Sequence, residues 1–329
     1  MCPPSCHDER HMVTIAELRH APGKSMRAQG DVPALYIDKR GLFGDREYMW
    51  VEGAAHLNVN HKPGTKAGPG RFISQREDPV LTGVTANLEA GGLALSWRDG
   101  ERLFVPRAAD TSANRLPVSL WGWQGEGVDQ GDEAARWGEA VLRRPVRLVA
   151  ISDEVPKYVE DDPALGRVGF SDGYPVTVGS TAAFERINSY LVSIGRPAVA
   201  TDRTRTTIIL DGLDVGDDHF FPEDYVGAIT ITTEAGPLVL ERRKACGRCP
   251  IPDTDQLTGE RKTHVRSALG KLGRTGTHLD TVRYGSETEI FLTQNFIMRL
   301  RSDMTDNAPL KPAFREAPST FPSDHNARP

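Results

Sequence analysis

Apolar stretches in this chain are short, and Gly, Pro, Asn or Asp interrupts them repeatedly. With 32 Gly and 23 Pro in 329 residues, few long helices can persist, because Gly adds backbone entropy to the unfolded chain and Pro removes a backbone donor. The runs Val13–Leu18, Tyr48–Glu52, Pro79–Leu88 and Gly92–Trp97 are apolar or alternating and predict strands, the last two joined as a hairpin at Gly91-Gly92. Val146–Ile151, Thr206–Leu210, Ala228–Thr233, Leu238–Arg243 and Glu289–Leu300 continue the pattern, with Glu234-Ala235-Gly236 as a turn. Three segments predict helices. Asp132 is placed to cap one that carries Ala135, Trp137 and Val141. Thr181–Ile194 puts Phe184, Ile187, Leu191 and Ile194 on one face and stops at Gly195, and Lys262–Leu272 is the third. No repeat and no fixed alternation of strand and helix is visible. The fold class is therefore β-rich α+β, with barrel-like sheets rather than a doubly wound fold.

A hydrophobic content of 38%, charged content of 26% and mean hydropathy of −0.42 describe a soluble globular chain. The formal net charge of −5 gives no general attraction to nucleic acid or to an anionic membrane. No run approaches the roughly 18 apolar residues of a membrane span, and the opening MCPPSCHDERHM lacks the apolar centre of a signal peptide, so the expected location is cytoplasmic. Four cysteines cannot staple a chain of this length, which excludes a disulfide scaffold. Residues 1–11, with Cys2 and Cys6, and the proline-rich 303–329 read as disordered tails, and His56–Arg71 as a mobile, glycine-rich loop.

The chemistry concentrates at Cys246-Gly247-Arg248-Cys249, which follows Glu241-Arg242-Arg243-Lys244 and precedes a turn-rich loop ending at Gly259. Nearby cations favour a thiolate, the form that attacks or binds metal. Three readings stand: a zinc knuckle completed by Cys2 and Cys6 or by histidines, a thioredoxin-type dithiol, or Cys249 as ligand to a thiophilic metal. Pro250 and Pro252 oppose the helix that a dithiol motif opens. Elsewhere, Arg203, Arg205 and Thr207 are spaced to share one strand face, either a phosphate fork or a solvated face. Ser180 opens a helix, as an anion site or as an ordinary cap. Lys24-Ser25 and Asp45-Arg46 sit at turns, where surface ion pairs are common.

In chain order, Lys24-Ser25, the segment Gly41 to Arg46, Gln75-Arg76-Glu77, Trp121, Gly131-Asp132, Trp137, Phe170 to Pro175 and Ser180 lead to the stretch LERRKACGRCPIPDTDQLTG. That stretch has an Arg-Cys pair at Arg248-Cys249, then Asp255 and Thr258-Gly259. From Met12 to Arg299 the order and spacing resemble the MOSC-domain molybdoenzymes, most closely the mitochondrial amidoxime-reducing component and its bacterial relatives.

The resemblance implies a MOSC-associated β-barrel-like module over 12–110 and a MOSC β-barrel domain with a few helices over 118–302. It implies a molybdenum cofactor, a Mo-pyranopterin dithiolene with a terminal phosphate, whose metal takes Cys249 as its protein ligand. Lys24, Ser25, Arg46, Ser180, Arg205, Gly247 and Arg248 fall on positions that hold it. Arg203 and Thr207 on the same strand face, and Asn295 beside Gln294, join them, while Asp255 is a candidate catalytic group beyond the ligand.

The implied activity is reduction of small N-hydroxylated compounds (amidoximes, hydroxylamines, N-oxides) by oxygen-atom transfer. Its electrons come from a separate ferredoxin, flavin or cytochrome type of protein, since the chain shows no flavin, dinucleotide or iron–sulfur motif. The alternative is a carrier of the cofactor, or of sulfur, without turnover. The chain departs from the family pattern at Thr204, Thr206 and Thr207, at Pro252-Asp253, at Ala183 and at Thr293, and no Val-Gly-Asp strand follows Leu300. These departures lie around the metal position and bear on substrate more than on cofactor.

Overall fold

The computed structural model describes residues 13–30, 32–53, 68–98, 100–213, 221–233, 236–262, 264–275, 289–299 and 308–310. Cys2 and Cys6, and most of the 56–71 loop, lie outside the described residues. The backbone is built around two sheets. One has six strands, in the order Thr14–Leu18, Ile208–Asp211, Val176–Ser180, Phe291–Arg299, Gly236–Gly247, Ala228–Thr233. The other has five, in the order Gly23–Lys24, Tyr48–Glu52, Val146–Ile151, Trp123–Asp129, Arg115–Leu120. The first strand thus joins the six-stranded sheet, antiparallel to Ile208–Asp211, although it opens the chain. The five-stranded sheet draws strands from both sides of residues 110–118.

Period-two alternation assigns the faces of the six-stranded sheet. Ile208 and Leu210 pack with Leu35, Ile37 and Leu42 on one side. Ile209 packs on the other against α2 (Thr181–Ser193) and α3 (Val265–Lys271), through Phe184, Ile187, Leu191 and Leu269. The parallel pairing of Val176–Ser180 with Ile208–Asp211 requires a crossover, and α2 supplies it. On the five-stranded sheet, α1 (Asp132–Leu142) and the meander Val84–Glu89, Gly92–Trp97, Arg102–Pro106 enclose a core around Trp50, Leu148, Leu95 and Trp137. Among the described residues no helix is long and apolar enough to cross a membrane.

Several expected elements differ. Pro79–Gly83 is a 3₁₀ turn rather than strand: Asp78 caps it by accepting from Val80 N, and Pro79 pre-sets its first residue. Helix α1 is capped by Gly131 at φ 91°, and Asp132 instead opens the helix and pairs with Arg147. Ile194 is 48% exposed because α2 ends at Ser193, one residue short of the last hydrophobic position. Ala308–Leu310 forms an edge strand on Leu35–Asp38, inside the segment expected to lack structure, because that short strand has free backbone groups to pair. Thr201–Thr204 is a 3₁₀ turn with Arg205 left-handed behind it, so Arg203, Arg205 and Thr207 do not share a strand face. The cause is local: Thr204 Oγ1 bonds back to Thr201 O at 2.9 Å and meets Thr206 Oγ1 at 2.6 Å, offering the backbone an alternative to the ladder.

One close approach fixes the segment around Arg46. Phe170 N donates to Arg46 O at 2.6 Å, and a Cβ on Gly169 would stand 2.5 Å from Asp45 O and 2.6 Å from Arg46 O. Only glycine lets these strands of backbone touch. Gly169→Ala is expected to destabilise the protein by about 1–3 kcal/mol, read as a lower thermal midpoint, since backbone rather than a flexible side chain must yield. An unchanged midpoint would contradict this packing.

Candidate functional site

The site begins with two breaks in a ladder. Gly236–Gly247 and Phe291–Arg299 pair antiparallel, but the register slips between Arg242 and Lys244 and again between Ala245 and Gly247. Before the first slip the buried positions are Leu238 and Leu240; after it the buried position is Ala245, so the parity has changed. Cys246, next along, is turned to the opposite side and lines a cleft. At the second slip the partner strand carries an extra residue, and Thr293 there takes φ 65°. Leu292 therefore packs towards α2 and α3 while Phe296 packs on the opposite core, and Asn295 reaches the cleft. Bulges re-aim side chains in this way at many active sites.

The cleft, counted with the open space at its mouth, spans about 820 Å³ and lies between the two halves of the chain. Lys24, Ser25, Arg46, Phe72, Ser74 and Arg76 come from the N-terminal part, and Trp121 from the strand end beside them. Ser171 to Tyr174, Thr177, Thr204, Arg205, the segment Cys246 to Cys249, Ile251, Pro252 and Asn295 form the remainder. Both cysteines are free and half-buried. Among the described residues nine non-glycine positions have positive φ, and Ser25, Arg46, Trp121 and Arg205 are four of them. Residues held in sparsely populated backbone regions gather at ligand sites, where the surrounding structure over-determines them.

The electrostatics are unbalanced. Arg205 lies between Met26 O and Gly23 O as a donor to both, the second at 3.4 Å. Burial, and then the neighbouring Arg46, lower its pKa to about 10. Burial also lowers Lys24, although Asp172 partly offsets the loss through an ion pair. Arg46 is the exception: burial disfavours its charge, but the pair with Asp45, together with the nearby Asp172, outweighs that and raises it. Asp172, against the desolvation that would raise its carboxyl, is held well below the ordinary range by Lys24 and by Trp121 Nε1, which donates at 2.7 Å. Two of the recessed cations thus lose stability as cations. A site of this kind accepts anionic charge.

Arg248 plays a different part. Its guanidinium donates to Leu292 O at 2.8 Å, to Thr204 O at 3.0 Å and to Thr293 Oγ1. These bonds fasten the cysteine loop to the bulged strand and to the 3₁₀ turn. A second fastening lies beyond Cys249, where Gln75 and Gln256 exchange buried amide bonds of 3.1 and 3.2 Å.

Of the sequence-predicted residues, Lys24, Ser25, Arg46, Arg205, Gly247, Arg248, Cys249 and Asn295 line this one cleft. Four do not. Asp255 organises its own loop, accepting from Leu257 N and Thr258 N at 2.9 Å each, and pairs with Arg203 at 2.7 Å. That pair holds Arg203 away from the cleft wall. Thr207 is buried against Thr177, whose Oγ1 accepts from Thr207 N at 3.1 Å. Ser180 is turned inward: its Oγ accepts from Ala183 N at 3.1 Å and donates to Glu223 Oε2 at 2.6 Å. Phe72, Arg76, Trp121, Asp172, Tyr174 and Cys246 line the cleft and were not among the predicted site residues. Arg76, Trp121 and Asp172 stand in motifs that carried the resemblance, but no spacing relates them to Cys249.

Residues 12–145 match the family described as MOSC N-terminal beta barrel domain. The chain is 28% identical over 196 residues to mitochondrial amidoxime-reducing component 1 of Mus musculus, covering 58% of this chain and 54% of that protein. It is 23% identical over 264 residues to the Xenopus laevis protein of the same name, covering 77% and 68%. The chain spans about half the length of the first of these. The crystal structure of the YUAD protein from Bacillus subtilis aligns over 91% of this chain and 93% of that one at 10% identity, with a TM-score of 0.30. That likeness is too slight to bear on fold or function.

Behind Ser180, Glu223 is fully buried with Oε1 unpartnered. Burial first, then the adjacent Asp224, push its carboxyl up to about 7 from an ordinary 4.5. Folding therefore favours the protonated form. Its contribution to stability is complete below about pH 4.5 and is lost as pH rises to about 7. Glu223→Gln keeps an acceptor for Ser180 and removes the titration. Its melting temperature should match wild type at pH 4 and exceed it at pH 8, by roughly 2–4 °C for each kcal/mol recovered. A difference between the two proteins that does not change with pH would refute the assignment.

Proposed function

We propose that this chain, which resembles the MOSC-domain proteins and the amidoxime-reducing components among them, is a molybdenum-cofactor oxidoreductase that reduces N-hydroxylated compounds. The observation that carries the proposal is the meeting, in one cleft, of a half-buried Cys249 with the recessed cations Lys24, Arg46 and Arg205. The donor set fits the cofactor. A thiolate is a soft ligand suited to a thiophilic metal, and the only cysteines among the described residues both line the cleft. The cations depressed by burial would regain stability beside dithiolene and phosphate charge.

When bound, the cofactor supplies a two-electron metal centre able to accept oxygen from an N–O bond. The chain's own residues do the rest. Cys249 would hold the metal, and Arg248 fixes its loop through three bonds to the protein. Lys24, Arg46 and Arg205 would hold anionic groups, with Ser25, Gly247 and Asn295 on the adjoining walls. Cleavage of each N–O bond consumes two electrons and two protons and releases water. The cleft opens to solvent at Asp172 and Gly247, which gives those protons a route from bulk water. The electrons come from a separate ferredoxin, flavin or cytochrome type of protein.

Protein produced in a molybdenum-replete host and reduced with dithionite should contain molybdenum and pterin and should reduce benzamidoxime or hydroxylamine. Cys249→Ala should abolish turnover and Cys246→Ala should retain most of it, whereas equal loss from both would favour a dithiol. Arg205→Ala should lower cofactor content by about tenfold, as expected for loss of a supporting contact. Bound molybdenum without turnover of any N–O compound would leave a carrier instead. One zinc per chain and no molybdenum would overturn both.

A further inference from the structure

The mouth of the cleft carries a second feature that the cofactor does not account for. Trp121 is 46% exposed, yet its ring is held on three sides. Its Nε1 donates to Asp172 Oδ1 at 2.7 Å. The Phe72 ring meets it edge-on, with centroids 4.7 Å apart and planes at 75°. The Arg76 guanidinium lies over it at 4.1 Å. The backbone at Trp121 is left-handed at φ 54°, although the residue is not glycine. An indole fixed this firmly and left half in water loses little freedom when another flat group stacks on it.

Depth separates this ring from the cation set. The Lys24 and Arg46 side chains are only 10% and 14% exposed, against 34% for Arg76. Asp172 joins the two levels, pairing with Lys24 below and standing 3.8 Å from Arg76 Nη2 above. Its charge partly offsets both cations, so the mouth does not strongly repel a neutral or cationic group.

We propose that Trp121, backed by Arg76 and Phe72, is the platform of a substrate subsite that takes a flat, π-conjugated group borne on the carbon of the N-hydroxylated amidine. The proposal rests on the reductase reading and adds a preference within it. Aryl amidoximes gain a stacking contact at the mouth that alkyl amidoximes cannot make.

The test compares benzamidoxime with acetamidoxime, which share the reacting group and differ in the ring, using cofactor-loaded full-length protein and dithionite. In Trp121→Leu, which keeps apolar bulk without a π face, kcat/KM for benzamidoxime should fall about tenfold through KM, and acetamidoxime should change by no more than twofold. Trp121→Phe should restore most of the benzamidoxime value. Equal losses on both substrates, or no loss on benzamidoxime, would overturn the subsite while leaving the reductase reading intact. Reduced molybdenum content in Trp121→Leu would also overturn it, by assigning the ring to the cofactor. Calorimetry separates the two readings where turnover is missing. Tighter binding of benzamidine than acetamidine by oxidised wild type, with the difference lost in Trp121→Leu, supports the subsite even if no N–O compound is reduced. Equal binding of the two amidines overturns it.

Discussion

A guanidinium with too little negative charge around it governs this structure. Arg205 reaches across the chain to the carbonyls of Met26 and Gly23, so that the N-terminal turn bearing Lys24 and Ser25 is fastened to the segment that follows the 3₁₀ turn at Thr201–Thr204. The same side chain lies close to Arg46 and Lys24, and burial lowers the pKa of both Arg205 and Lys24. Carbonyl dipoles and the two carboxylates Asp45 and Asp172 hold these cations in place, but they do not cancel them. The architecture therefore accepts an electrostatic cost at the junction of its halves, and an anionic ligand would relieve it.

Backbone irregularity directs those charges. Two register slips in the pairing of Gly236–Gly247 with Phe291–Arg299 change which side each residue faces, sending Ala245 to the core and Cys246 and Asn295 to the cleft. Arg248 then bonds to Leu292 O at the break and to Thr204 O on the 3₁₀ turn, which locks the loop carrying Cys249. Left-handed backbone at Ser25, Arg46, Trp121 and Arg205 repeats the theme on the opposing walls. Such conformations persist only where neighbouring packing enforces them, as the Gly169 contact does for Arg46. Asp172 links the recessed cations to the rim, so charge in the recess and ring orientation at the mouth are coupled through one carboxylate.

Much of this was legible in the sequence. Tyr48–Glu52, Gly92–Trp97, Val146–Ile151 and Ala228–Thr233 form strands with the bounds that alternation predicts, because each buries one or both faces of a sheet. The helix opened by Ser180 was legible from its apolar spacing. The errors share a cause. Pro79–Gly83 is largely apolar by composition and Thr201–Thr204 precedes a predicted strand, but side-chain capping in the one and hydroxyl back-bonds in the other give 3₁₀ geometry. The spacing that put Arg203, Arg205 and Thr207 on one face presumed an extended backbone that these local bonds prevent.

Local residue types by themselves determined the short-strand character of the chain and its chief helices, and marked the cysteine loop as a candidate chemical centre, because periodicity and turn chemistry act over a few residues. Which of the candidate polar residues share a cleft was decided only by tertiary structure. Ser180 and Asp255 look as functional in sequence as Arg46 and Arg205, yet one is absorbed by buried Glu223 and the other by Arg203. Trp121 and Asp172 are separated by 51 residues and become partners only when the chain folds. Partnership across such distances depends on strand register and on bulges that reverse side-chain direction, and neither is written in any single segment.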